Sequence, residues 1–168
     1  KVATKGVMNE NITSTRLGLK GLPALAEELQ IVRDLFILEY TGGKLHIPTI
    51  STKKSVELIR DAKSKKLDVS CSVAIHNLLY TDEKLIDFDT NFKVNPPLRL
   101  ASDSEALIEG LKDGTIDMVT SETHHLDILD ANSRIIFIYS PPLENIKTSY
   151  YFLDRFKNAK TTYLYQVG

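Results

Sequence analysis

The order of apolar patterns along this 168-residue chain constrains its fold more than any single motif. Behind Pro23, Leu25, Leu29, Val32, Leu35, Phe36 and Tyr40 recur at three- and four-residue spacing, and Gly42-Gly43 stops the run. That spacing predicts an amphipathic helix over residues 23–40. A short strand follows over 45–50, with Leu45 and Ile47 apolar. Ser51 or Thr52 then caps a helix over 53–65, with Val56, Ile59 and Ala62 on its buried side. Residues 67–73 read as a strand, 103–112 as a helix with Ala106, Leu107 and Leu111 inward, and 115–120 as a further strand. Strands and helices alternating at about 25 residues are the mark of βαβ units and a parallel sheet. The fold class is α/β, and handedness leaves an open doubly wound sheet or a β/α barrel. No glycine-rich phosphate loop follows any strand, which disfavours a nucleotide-binding sheet. The opening residues through Lys20, punctuated by Gly6 and Gly18, read as polar and irregular.

A net charge of −1 gives no electrostatic footprint for nucleic acid or an acidic membrane. No apolar run approaches the roughly 18 residues of a membrane span, and no signal-like segment opens the chain. The single cysteine, Cys71, cannot form an internal disulfide and fits a cytoplasmic setting. It lies in the alternation Val69, Cys71, Val73, which reads as a buried core thiol rather than a nucleophile.

In a barrel, chemistry gathers where strands end at their carboxyl side. That places Thr49, the pair His76-Asn77, and Glu122 with His124 and His125 around one rim. A fourth polar element is Lys93-Val94-Asn95-Pro96-Pro97-Leu98-Arg99. Two consecutive prolines remove two backbone donors, so this segment is neither mid-helix nor mid-sheet. Asn95 is expected to be extended, with its amide aimed out of the turn, and Arg99 adds a guanidinium suited to a small carboxylate. His46, between apolar neighbours, reads as a hydrogen-bonded core or rim histidine. Glu122, His46 and His124 are the residues able to ligate a metal, but adjacent histidines on an extended segment point to opposite sides. A catalytic metal needs at least three protein ligands, and the 122–125 segment alone does not supply them.

Gly18-Leu-Lys-Gly-Leu-Pro-Ala-Leu-Ala-Glu27, Leu45-His-Ile-Pro-Thr-Ile-Ser-Thr52, Asn95-Pro-Pro-Leu-Arg99, Asp113-Gly-Thr-Ile-Asp117 and Thr120-Ser-Glu122 occur in an order and spacing that resembles a dihydroorotase of the amidohydrolase superfamily. The resemblance implies a TIM-like, metal-dependent hydrolase barrel, of which residues 1–128 form a middle-to-late, incomplete part. It implies the reversible cyclisation of N-carbamoyl-L-aspartate to dihydroorotate in pyrimidine biosynthesis, with one or two zinc ions in active members. Residues 129–168 do not map onto the family; a strand over 134–139, a helix over 148–158 and a strand over 161–165 are expected there.

Position by position, the match is uneven. The family's zinc-binding second histidine of His-x-x-His-x-Ser is Thr49, with His46 at the first position. The catalytic aspartate of Asp-His-Ala-Pro-His falls at Glu122, and that motif's last, substrate-contacting histidine falls at Leu126. Asn95 stands where the family has a substrate-contacting asparagine. The family's His-x-His pair and its bridging ligand have no counterpart, so the resemblance implies that this chain alone does not hold zinc. Thr49, Glu122 and Leu126 together imply weak or absent catalysis. The alternatives are a non-catalytic structural partner of aspartate carbamoyltransferase and a hydrolase of another cyclic amide, such as a hydantoin. Half a barrel leaves sheet edges open, so self-association or pairing with the remainder of a barrel is expected.

Overall fold

The computed structural model describes residues 6–120 and the backbone of Thr162–Tyr163. Two short parallel strands, β1 (Met8–Asn9) and β2 (Gly21–Leu22), flank helix α1 (Ile12–Leu17). Then come α2 (Ala24–Thr41), β3 (Lys44–Ile47), α3 (Lys53–Ser64), β4 (Asp68–Ala74) and α4 (Ile75–Leu79). Two 3₁₀ turns, Asp82–Leu85 and Thr90–Phe92, lead to the proline loop, α5 (Ala101–Lys112) and β5 (Met118–Thr120). Thr162–Tyr163 forms β6.

The main sheet has the order β3-β4-β5-β6, and every pairing in it is parallel. Parallel neighbours need crossovers, and α3 and α5 supply those between β3, β4 and β5. The α/β class and its parallel units, expected from the alternation, are therefore observed. β6 falls inside the strand expected over 161–165 and adds to this same sheet beside β5. The elements expected over 134–139 and 148–158 lie outside the described residues.

The core forms between the sheet and its helices. Val69, Cys71 and Val73 of β4 meet Val56, Ile59 and Ala62 of α3 and Leu107 and Leu111 of α5. The Thr52 side chain caps α3 by accepting from the Ser55 amide at 3.0 Å. Gly42, at φ 66°, ends α2 in the left-handed conformation that a residue without Cβ adopts at no steric cost.

Three sequence expectations change. Residues before Lys20 are not irregular: the Asn11 side chain accepts from Thr13 and Ser14 amides to start α1, and Gly18 closes it. A cap needs only one polar side chain, so this helix carries almost no apolar periodicity. His76 and Asn77 do not end a strand but begin α4. In α2, of the six residues whose spacing predicts the helix, only Leu35 is buried. The core-facing side is Ile31, Leu35 and Leu38, while Leu25, Leu29, Phe36 and Tyr40 are exposed. The helix has two apolar sides, and periodicity alone selected the outward one.

Candidate functional site

Glu27, in the first turn of α2, reaches across to the start of α3. Its carboxylate accepts from the Ser51 amide at 2.8 Å, the Thr52 amide at 3.3 Å, the Ser55 hydroxyl at 2.6 Å and the Ser51 hydroxyl. A carboxylate suits a helix amino terminus, where free N–H groups and the helix dipole are positive. The Glu27 carboxylate also faces Arg99, whose Nη2 lies 3.8 Å from it.

Arg99 is 2% exposed and its guanidinium is committed to the protein. Nε donates to Ser51 Oγ at 3.1 Å, and Nη1 donates to Asn9 Oδ1 at 2.8 Å and to the Leu22 carbonyl at 2.9 Å. Asn9 in turn donates to the buried Asp82 carboxylate at 3.1 Å, which also accepts from the Asn11 side chain. One network thus joins the amino-terminal β1-α1-β2 unit, both helix starts and the loop carrying Arg99. From the other side, Asn77 Nδ2 donates to the Pro97 carbonyl at 3.1 Å, and Ser104 Oγ donates to the Asn77 carbonyl at 2.9 Å. The Asn95–Pro96 peptide bond is cis. Asn95 is left exposed on a loop pinned at both ends.

A cavity of about 350 Å³ lies between α2, β3 and this loop, lined among others by Pro23, Glu27, His46, Thr49, Asn95 and Arg99. Of the rim residues expected from the sequence, His46, Thr49, Asn95 and Arg99 border it, whereas His76 and Asn77 are buried and do not line it. Glu122, His124 and Leu126 lie outside the described residues. Thr49 sits just beyond β3 with φ 46°, its amide donating to Ser72 Oγ at 3.0 Å. A β-branched residue rarely occupies this region, where histidine is better tolerated, so the backbone here suits the imidazole that the resemblance implies better than the threonine present. His46 is exposed and its Nδ1 pairs with Ser70 Oγ at 2.9 Å, a rim histidine as expected. His76, at 3% exposure, has no hydrogen-bond partner on either nitrogen among the described residues, and burial pushes its pKa down to about 4. Asn77 Oδ1 beside it also lacks a partner among the described residues.

Among the described residues no three His, Cys, Asp or Glu side chains converge as a metal group would need. A threonine hydroxyl is a poor ligand for zinc, which prefers thiolate, imidazole and carboxylate donors. The described residues therefore do not fit a catalytic metal by themselves. Burial pushes the Cys71 thiol up to about 12, with the Asp117 carboxylate adding to the effect, so it is a core group rather than a ligand. Among the described residues no helix is long and apolar enough to cross a membrane.

Sequence reasoning picked out Asn95, Arg99 and Thr49, but gave no role to Glu27, Asn9 or Asp82. Glu27 closes the first motif of the resemblance, yet nothing in its neighbours shows that it caps a different helix.

A parallel β/α sheet with polar groups gathered at one strand end is the architecture of a barrel hydrolase section. The solved L-hydantoinase (dihydropyrimidinase) from Arthrobacter aurescens matches it with a TM-score of 0.57 and 31% identity, over 61% of this chain and 23% of that one. The dihydroorotase of Acetivibrio thermocellus is 51% identical over 150 residues, 84% of this chain and 35% of the relative. That of Caldanaerobacter subterraneus subsp. tengcongensis is 44% identical over 153 residues, 90% of this chain and 35% of the relative. No protein-family model matches the chain. The chain belongs to the dihydroorotase family of metal-dependent amidohydrolases, and it spans about a third of the length of the curated relatives it matches.

Proposed function

We propose that this chain is the substrate-loop section of a dihydroorotase-type protein of pyrimidine biosynthesis, and that the 168-residue polypeptide alone is weakly active or inactive. The supporting observation is the single cavity bordered by Asn95, Thr49 and Arg99 beside the end of β3. In this reading Asn95 presents its amide to a carboxylate of carbamoyl-aspartate or dihydroorotate. Arg99 adds positive charge behind it while holding the loop, because its hydrogen bonds go to Asn9, Ser51 and Leu22. Glu122, at the family's aspartate position, is the group to carry a proton. In a complete centre a zinc ion would supply the Lewis acid for amide hydrolysis. Thr49 removes one imidazole from that centre, and Leu126 removes a substrate contact. Such losses within one catalytic unit are not additive, and one can remove most of the rate.

The departures at Thr49, Glu122 and Leu126 taken together favour a second reading, in which the protein is a non-catalytic support for aspartate carbamoyltransferase. The lone buried thiol of Cys71 suits the cytoplasm, where that pathway enzyme would be met.

Two measurements test the proposal. Dihydroorotate hydrolysis is expected at background with and without added zinc; metal-dependent turnover well above background would overturn the inactive assignment. Calorimetric titration with carbamoyl-aspartate is expected to show weak binding, with Kd of about 1 mM, abolished by Asn95→Ala. Absence of binding by the unaltered chain would overturn the substrate-loop assignment.

A further inference from the structure

Asn77 stands in the first turn of α4, just beyond the carboxyl end of β4, and is 2% exposed. Its side chain serves the neighbouring loop rather than its own helix. α4 is closed by the Tyr80 amide donating to the His76 carbonyl at 3.0 Å, and Ser104 Oγ holds the Asn77 carbonyl at 2.9 Å. The side-chain amide turns instead to the proline loop, where Nδ2 donates to the Pro97 carbonyl at 3.1 Å. A carbonyl only accepts, so the nitrogen of this amide and not its oxygen must face Pro97.

The loop needs such a grip. Pro96 and Pro97 carry no backbone N–H, so between Asn95 and Leu98 the chain is held only through carbonyls and side chains. The two rings also fix φ, which leaves ψ as the soft backbone torsion at each proline. A shift of the Pro97 carbonyl is therefore passed to Asn95 with little slack. Burial changes at the same point: Asn95 is exposed, whereas Pro97, Leu98 and Arg99 are buried. Farther along, the Asp82 amide fixes the Arg99 carbonyl at 3.0 Å, and Asn9, Ser51 and Leu22 hold the guanidinium. Asn77 thus grips the buried residue nearest Asn95, where the chain emerges at the cavity. We propose that Asn77 is a positioning residue for ligand binding, holding Asn95 at the cavity through the Pro97 carbonyl; this rests on the substrate-loop role given to Asn95 above. Asn77 touches no ligand. It keeps Asn95 ordered in advance, so the loop need not be fixed anew when a small carbamoylated carboxylate binds.

The test is an NMR titration of the isotope-labelled 168-residue chain with carbamoyl-aspartate, read at the Asn95 side-chain amide. Asn77→Leu keeps the branched shape and removes the donor, and Asn77→Asp removes it in a second way. Each is expected to weaken binding about tenfold and to shift the Asn95 side-chain signals of the free chain. Gly110→Ala crowds the contact between α3 and α5, away from the loop, and is expected to leave affinity within about twofold. Folded Asn77 variants that bind within about twofold of the unaltered chain would overturn this inference and leave the substrate-loop reading standing. Absence of binding by the unaltered chain would overturn both. Equal weakening by Gly110→Ala, or failure of both Asn77 variants to fold, would overturn the positioning role by making Asn77 a residue of general stability.

Discussion

Glu27 is the residue on which most of the site's geometry depends. It satisfies two amides and two hydroxyls at the start of α3 and stands opposite the buried Arg99. Replacing it by alanine leaves a guanidinium at 2% exposure without its nearest carboxylate, with Asp103, Glu28 and Asp82 acting only from farther away. Loss of one member of such a pair costs about 3–5 kcal/mol. Urea unfolding of Glu27→Ala should show a loss of that order, with Glu27→Gln losing less because it keeps an acceptor. A loss under about 1 kcal/mol for the alanine variant would mean that water replaces the carboxylate. His76 makes a second prediction, through pH. Burial alone holds its folded pKa near 4, against 6.5 for the free group. Between those values the unfolded chain binds a proton that the folded chain refuses, so stability is full above 6.5 and declines as pH falls toward 4. The decline attributable to this group is about 3 kcal/mol. Unfolding measured at pH 7.5 and pH 4.5 should show it, and His76→Leu should remove that component of the slope. Of these residues the sequence disclosed Thr49, Asn95 and Arg99, because an altered or retained motif position is visible in a string of letters. Neither the positive φ at Thr49 nor the absence of partners for His76 among the described residues is encoded locally; both arise from distant chain meeting at the end of β4.

At the scale of elements, the contact between α3 and α5 is set by a glycine. A Cβ on Gly110 in α5 would stand 2.9 Å from Val56 Cγ1 on α3 and 3.1 Å from Ile116 Cδ1. Valine is stiff about its χ1, so α3 and α5 must separate to admit a methyl group. Gly110→Ala is therefore predicted to lower stability by about 1–3 kcal/mol despite alanine's better helix propensity, as a thermal melt would register. An unchanged or raised Tm would show that the α3–α5 contact is looser than the structure has it. The helices and strands of the two βαβ units were legible because their signals are local: Thr52 caps α3, Gly42 stops α2, and apolar residues recur at the right period. α1 and the β1–β2 pair were not legible, since two-residue strands carry no period and a six-residue helix stands on its Asn11 cap. α2 was legible as a helix but misleading about its inward side, because its apolar residues serve two faces.

At the scale of the whole molecule, the sheet is asymmetric. β4 has a hydrogen-bonded neighbour on each side, whereas β3 is one of the two terminal strands, with β6 at the other end, and offers one edge to nothing among the described residues. Exposed edges are ordinarily blunted by charge, and Lys44, paired with Asp68 at 3.5 Å, is the one charged residue of β3. The cavity runs beside this edge, lined by the consecutive residues Leu45, His46, Ile47, Pro48, Thr49 and Ile50. Leu45, His46 and Ile47 belong to β3 and Pro48, Thr49 and Ile50 to the turn beyond it, so the cavity spans the open edge of the strand and its carboxyl end. The candidate site and the sheet edge are thus one continuous surface, and whatever pairs with β3 shapes the site. That parallel order followed from the strand-helix alternation in the sequence, but which strand is terminal depends on long-range pairing and was not legible. Amide hydrogen exchange should register the asymmetry. The amides of Ser72 and Val73, buried and in register with β5, are expected to exchange only by global unfolding, while alternate amides of Lys44–Ile47 exchange through local opening. If every amide of β3 proves as protected as those of β4, then the edge is covered in solution, and the cavity beside it is closed by the covering strand.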